Sequence, residues 1–431
     1  MSSAPTAADS SSADPVLIVG AGLAGLACAR TLQRSGVACT LFEASDGVGG
    51  RVRTDIQDGF LLDRGFQVLL TAYPEAQELL DQRALALHAF DPGSRTWLGD
   101  GFADLGDPRR RPGELLRTAL SPIGSLADKL RILGLTRSAG RGRADELWTR
   151  PEVSIAARFD ELGFSPRMRR RFLEPFLSGI TLDPTLEGTS SRVLEYVWRM
   201  FSSGHAALPA RGMGALGEQL AEGLNTGTIR YRSAVAKVRP DGLTTAEGER
   251  FAGRAVVVAT DPAQAAHLVP GLAVPAMRAV TTLYFAADAS LVGRPVLVLN
   301  GTGDGLVRHM CVPSDVSESY APRGQALISA TVLGDPDLED EHLEARVLGE
   351  LEQWFGPAAR SLRHLRTYRV IDALPEQPVG WLNPPEREQR RPDGLYVCGD
   401  HLDQGSIQGA LRSGKRCAEA LLAQLAPEPA A

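Results

Sequence analysis

The sequence predicts an α/β protein of two interleaved domains, one built on a parallel sheet and the other α+β, with a helical insertion and an antiparallel sheet. Three observations predict it. A β-branched run, a glycine-rich turn and an apolar helix open the chain; helical periodicity takes over from about residue 73; a strand and a long helix close the chain. At 431 residues, 43% of them hydrophobic, the chain exceeds the usual single-core size and can bury a core in each of two domains.

The elements follow in order. Residues 1–14 are rich in Ser, Ala and Asp, with neither a basic start nor an apolar stretch, and read as a disordered leader. VLIV (16–19) is a strand, an apolar helix runs from the glycine turn to about Gln33, and ACTLFE (38–43) is the next strand, completing a βαβ unit. From about Tyr73 to Met200 stretches such as ELLRTAL and DKLRILGLTRSAG, with breaks at Pro74, Pro112, Pro122 and Pro166, predict a helical insertion. GALGEQLAEGL is helical. IRYRSAVAKVRP and GERFAGRAVVVAT are short strands divided by turns at Asp241-Gly242 and Glu247-Gly248. TTLYFAA, RPVLVLNG, HMCVP and ALISATVL, then a helix over 339–355 and a strand over 362–370, suit an antiparallel floor. LYVCGD is the final strand and 406–425 the final helix. This assigns 15–72, 205–270 and 390–431 to the first domain, and 73–204 and 271–389 to the second, with no internal repeat.

Composition excludes several functions. A net charge of -6 offers no global field for nucleic acid. The five cysteines, Cys28, Cys39, Cys311, Cys398 and Cys417, stand singly, and the histidines lack ligand spacing, so neither disulfides nor a metal site is expected and the chain reads as cytoplasmic. The longest apolar run, 16–29, is glycine-interrupted and shorter than the roughly 18 residues of a membrane span.

Gly20-Ala21-Gly22-Leu23-Ala24-Gly25 follows a strand and opens a helix, so backbone N–H groups and the positive helix end face a pyrophosphate, as in a Rossmann-like fold. Glu43 ends the second strand, where a carboxylate accepts both ribose hydroxyls of an adenosine and repels a 2′-phosphate. A second match to the glycine spacing, Gly212 to Gly217, follows LPAR rather than a strand and reads as a helix start. One dinucleotide site remains, and electrons leave to oxygen, a quinone or another free acceptor.

Directly after Glu43, the run Ala44-Ser45-Asp46-Gly47-Val48-Gly49-Gly50-Arg51-Val52-Arg53-Thr54 resembles the flavin-containing amine oxidase and phytoene desaturase superfamily, as does the closing LYVCGDHLDQGSIQGALRSGKRCAEALL. RFLEPFLSGITLDP, LPARGMGALGEQLA and SAVAKV resemble its phytoene desaturase-like branch, which includes protoporphyrinogen oxidase relatives. The resemblance implies FAD, with Gly20, Gly22, Ala24, Gly25, Glu43, Ala44, Gly50, Arg51, Val235, Gly399, Asp400, Ser406 and Ile407 on the cofactor and Val235 meeting adenine through its backbone. The final helix, beginning near Ser406, would point its positive end at the flavin pyrimidine.

The chain departs from the amine oxidases at one place. Their lysine about a hundred residues before the closing motif has no counterpart in 295–313, which offers Arg308 and His309; the only lysines are Lys129, Lys237 and Lys415. No cysteine stands in 312–397, so noncovalent FAD is expected. The function predicted is hydride removal from a C–H bond of a sizeable apolar substrate, such as an isoprenoid or carotenoid. An amine or amino-acid oxidase, or a flavin-binding protein that does not turn over, are the alternatives. No catalytic side chain is assigned; His401, Arg64 and Gln67 could border the flavin, with ordinary packing the preferred reading of each. Arg109 to Arg111 and Arg167, Arg169, Arg170 and Arg171 could meet anionic lipid heads at the membrane periphery, although a solvated helix face explains them more simply.

Overall fold

The computed structural model describes residues 14–384 and 386–425. The expected leader lies, apart from Asp14, outside the described residues. Val16–Val19 is buried along its whole length, as a continuous β-branched run predicts for a strand covered on both faces. It is the centre of a five-stranded sheet ordered Ile229–Arg230, Cys39–Phe42, Val16–Val19, Ala255–Val258 and Tyr396–Val397, with every pairing parallel. The helix Leu23–Arg34 lies against this sheet, and the last helix, Ile407–Leu425, packs on that helix. Gly414 makes this crossing, since a Cβ there would stand 2.0 Å from the Ala24 carbonyl oxygen. The starts of both helices consequently border one crevice.

Gly212 to Gly217 does open a helix, Ala215–Glu222. Its entrance is pinned on the strand pair Thr54–Gln57 and Phe60–Asp63: Met213 N donates to Asp63 Oδ1 at 2.8 Å and Gly214 N to Thr54 Oγ1 at 2.8 Å. Asp63 also accepts from Thr54 Oγ1 at 2.5 Å and from the Tyr320 hydroxyl at 2.9 Å, tying three distant segments together.

The second sheet has seven strands, ordered Arg363–Pro375, Met277–Ala287, Ala326–Leu333, Val307–Cys311, Leu297–Asn300, Gly93–Trp97 and Phe102–Gly106. Leu343, Val347, Leu351 and Trp354 of the helix Asp340–Phe355 cover one face with an apolar layer. The last two strands fall within 73–204, expected to be mostly helical. Gly93–Trp97 and Phe102–Gly106 form a hairpin that joins the sheet by a parallel pairing with Leu297–Asn300, so the sheet is mixed rather than antiparallel throughout. The first strand's inward positions are Ser94 and Thr96, both buried, so polar residues hide the alternation that marks a strand.

From Pro112 onward the insertion is helical, with Leu115–Leu120, Leu126–Ala139, Glu174–Thr181 and Ser191–Ser203 as its main pieces. The second of these begins at a capping box: Ser125 Oγ accepts from Asp128 N, and Asp128 accepts in return from Ser125 N. Ile123, Leu135, Phe159, Met168, Leu177 and Trp198 form the insertion's own core.

Candidate active site

A cavity of about 770 Å³ runs from the glycine turn, between the sheets, to the helical insertion. The end at the glycine turn follows from local backbone chemistry. Gly20 has φ +102, a conformation that favours glycine, and a Cβ there would lie 2.8 Å from the Ala259 carbonyl oxygen. A Cβ on Gly25 would stand 2.1 Å from the Gly20 carbonyl oxygen, so only glycine lets the first helix sit this close to its strand. Gly22 is the helix N-cap and passes Gly50, whose own Cβ would lie 3.2 Å from Gly22 Cα. These contacts leave an open, side-chain-free cradle at the positive end of the helix, shaped for a pyrophosphate. Glu43 stands at the strand end, with Oε2 accepting from Ala21 N and Oε1 from Ser45 N, both at 2.8 Å. Ser233 N donates to the Glu43 carbonyl, which brings the segment leading to Val235 alongside.

Arg51 and Asp400, far apart in sequence, meet at 2.5 Å on the cavity wall, and Arg51 also donates to the Ala373 carbonyl at 2.9 Å. Burial opposes the guanidinium's charge, but the Asp400 carboxylate outweighs it and holds Arg51 above its ordinary value. Gly399 N donates to Ser413 Oγ, and Ser406 Oγ accepts from Gly409 N, so the closing helix starts at a polar cap facing the cavity.

Beyond this point the chamber is mainly apolar. Each of the seven strands gives its floor one residue or more, among them Val370, Val280, Thr331, His309, Leu297, Gly93 and Leu105. Phe66, Phe90, Phe172, Phe176, Trp198 and Phe201 wall it. Four carboxylates line the cavity, and each is already engaged: Asp91 with Arg111 and Arg294, Asp107 with Arg109, Asp261 with the backbone of Gln264, and Asp400 with Arg51. Lys129 reaches the wall as well, with Nζ donating to the Ala119 and Ser121 carbonyls at 2.8 Å.

Of the residues expected on the cofactor, Gly22, Ala24, Gly50, Arg51, Gly399, Asp400, Ser406 and Ile407 line this one cavity. Gly20 and Gly25 stand behind the turn they shape, while Glu43, Ala44 and Val235 lie off the cavity lining. Arg64 and Gln67 line it, but Arg64 is paired with Asp55 at 2.9 Å and Gln67 Nε2 donates to the Arg51 carbonyl at 3.0 Å. His401 is buried and absent from the lining. The motifs pass over His309 and Thr331; alternation in HMCVP offered a signal, since it sends His309 and Cys311 to the face opposite Met310.

Hydroxysqualene dehydroxylase of Rhodopseudomonas palustris is 27% identical over 455 residues, which take in 95% of this chain and 98% of that one. Protoporphyrinogen oxidase 2 of Arabidopsis thaliana is 29% identical over 176 residues, 41% of this chain and 32% of its own length. Putrescine oxidase solved with putrescine bound shares the fold, with a TM-score of 0.73 and 19% identity over 95% of this chain and 99% of that one. The family model for flavin containing amine oxidoreductases matches residues 23–422, and the chain belongs to that family of FAD-dependent enzymes.

Proposed function

We propose that the chain removes hydride from a C–H bond of a sizeable, largely apolar small molecule seated in the chamber beyond the Arg51–Asp400 pair. The observation that carries this reading is the chamber's chemistry: aromatic walls, with three of the four lining carboxylates, Asp91, Asp107 and Asp400, held by arginines and the fourth, Asp261, following the strand end beside Gly20 rather than lying among the aromatic walls. A relative named for hydroxysqualene over nearly its full length supports it. The fold shared with putrescine oxidase keeps amine oxidation as the second reading.

In this reading Gly20, Gly22 and Gly25 hold the turn open, and the first helix's leading amides at Leu23 and Ala24 face the pyrophosphate. Glu43 takes the adenosine ribose, with Ala44 and Val235 beside the adenine. Gly50, Arg51, Gly399 and Asp400 flank the middle of the cofactor, and the closing helix starting at Ser406 and Ile407 covers its flavin end. No cysteine lines the cavity and all five are free and buried, which supports noncovalent binding. The flavin supplies the redox chemistry; the chain orients the C–H bond, excludes water and places a positive helix end beside the ring. Electrons pass to an external acceptor, oxygen or a quinone.

Anaerobic mixing with panels of isoprenoids, porphyrinogens and amines tests the reading. Bleaching of the flavin by an apolar class supports it; bleaching by amines alone transfers the assignment to amine oxidation.

The same reading extends to peripheral membrane contact, but through leucine rather than arginine. Most of the basic clusters are spent within the chain, Arg109 on Asp107, Arg169 on Asp160, Arg110 on the Gly204 carbonyl and Arg171 on the Pro122 carbonyl. Leu115, Leu116, Leu120, Leu126 and Leu130 are instead 60% or more exposed, and three of them, Leu115, Leu126 and Leu130, line the cavity. An apolar rim at an apolar chamber suits a substrate drawn from a bilayer. Sedimentation with neutral lipid vesicles, lost in a Leu116→Ser, Leu120→Ser variant, is the expected result.

A further inference from the structure

The apolar chamber has one polar place on its floor. His309 is 4% exposed and Thr331 is 2% exposed, and they face each other as paired residues on adjacent strands. Both line the cavity. Neither imidazole nitrogen of His309 has a hydrogen-bond partner, and neither does Thr331 Oγ1. Buried polar groups left this way cost free energy, and two together on one floor call for a common partner. A third such group on the lining, Gln404 Nε2, stands in the closing segment assigned above to the cofactor and is not part of this place.

The ring is held in position. Gly179 presses on one edge, where an added Cβ would stand 2.6 Å from His309 Nδ1, and Phe66 meets the ring edge-on with centroids 5.5 Å apart. Burial first, and the neighbouring Arg308 charge second, pull His309 down to about 3, so the imidazole is neutral at working pH and offers a donor or an acceptor rather than a charge.

We infer that His309 and Thr331 form a subsite for a neutral hydroxyl group carried by the otherwise apolar substrate. A hydroxyl both donates and accepts, as the imidazole and the threonine side chain each can, so one group satisfies both orphans. An ammonium would meet no carboxylate here, and the neighbouring Arg308 charge, which already lowers His309, would oppose it. The inference rests on the chamber being the substrate's seat, and it makes His309 and Thr331 positioning residues with no part in the bond that breaks.

The test is equilibrium binding to the flavin-loaded protein, followed by tryptophan fluorescence through Trp198, with two probes of matched carbon skeleton, the isoprenoid alcohol farnesol and the hydrocarbon farnesene. The parent is expected to prefer the alcohol by about tenfold, the weight of one net hydrogen bond. His309→Leu and, separately, Thr331→Val are expected to erase that preference while leaving hydrocarbon affinity in place, and His309→Asn to restore part of it. Equal binding of both probes by the parent overturns the subsite but leaves the chamber reading standing; failure of both probes to bind overturns the chamber reading and the subsite with it. An altered flavin absorbance spectrum in ligand-free His309→Leu would show that the imidazole partners the cofactor, which also overturns the subsite. Thr331→Val keeps the test decisive if the histidine variants fail to fold.

Discussion

Replacing Asp63 by asparagine is expected to stabilise the protein at alkaline pH and to leave it unchanged in acid. Asp63 is 2% exposed and accepts from Thr54, Met213 N and Tyr320. Burial raises its carboxyl from 3.8 to about 6, because those three hydrogen bonds favour the charged form by less than desolvation disfavours it. The folded state therefore binds this proton more tightly than the unfolded chain. Its contribution is fully present below the unfolded value and is lost as pH rises through about 6. Two pKa units amount to about 3 kcal/mol, the upper bound on what the ionised group costs at pH near 8. Asparagine keeps an acceptor for Thr54 and Met213 N, and its amide can donate to the Tyr320 oxygen, so each of the three partners keeps one hydrogen bond without the charge. Chemical denaturation of parent and Asp63→Asn checks this, with the variant expected to gain about 1–3 kcal/mol near pH 8 and the gap to close near pH 4. A variant less stable than the parent near pH 8, or a gap that ignores pH, would refute the argument that desolvation dominates at this site.

Gly25→Ala places a methyl 2.1 Å from the Gly20 carbonyl oxygen and 3.3 Å from Ala259 Cβ, so the first helix must retreat; a cost of about 1–3 kcal/mol and a lower flavin-to-protein absorbance ratio are expected, and parent-like flavin content would contradict it. Glu43→Arg takes the acceptor from Ala21 N and Ser45 N and is expected to strip FAD, removing roughly 4 kcal/mol of ligand stabilisation if the parent is held at a thousandfold its Kd; melting with and without added FAD reads this out. His401, lowered by burial to about 4, stays neutral in the fold while the unfolded chain takes a proton below about 6.5, so it withdraws stability as pH falls through that window. His401→Gln is therefore expected to gain on the parent between pH 7 and 4 by up to about 3 kcal/mol, and parallel pH profiles for the two would exclude the imidazole as the source.

Much of the cavity's glycine-turn end was legible in the sequence because its determinants are local. A strand, three spaced glycines, a helix and an acid at the next strand's end occupy one short segment, and the first and third glycines, Gly20 and Gly25, are each required by a backbone clash that any larger side chain would create. The closing segment was legible for the same reason, as a strand feeding a helix with a polar start. Where local signals were ambiguous the sequence was silent: Ser94 and Thr96 occupy the inward positions of a strand inside the mostly helical insertion, and only its pairing with Leu297–Asn300 makes it one. The arginine clusters, read as a solvated helix face, are mostly held by carbonyls and carboxylates that only the fold brings to them. Composition and local motifs alone determined an α/β flavoprotein with a large second domain. Tertiary structure alone decided which polar groups the chamber keeps, since pairing His309 with Thr331 and Arg51 with Asp400 depends on segments that meet only when the sheets close. Periodicity assigns a residue to a face, but a hydrogen-bond partner, or the want of one, exists only once that face is packed.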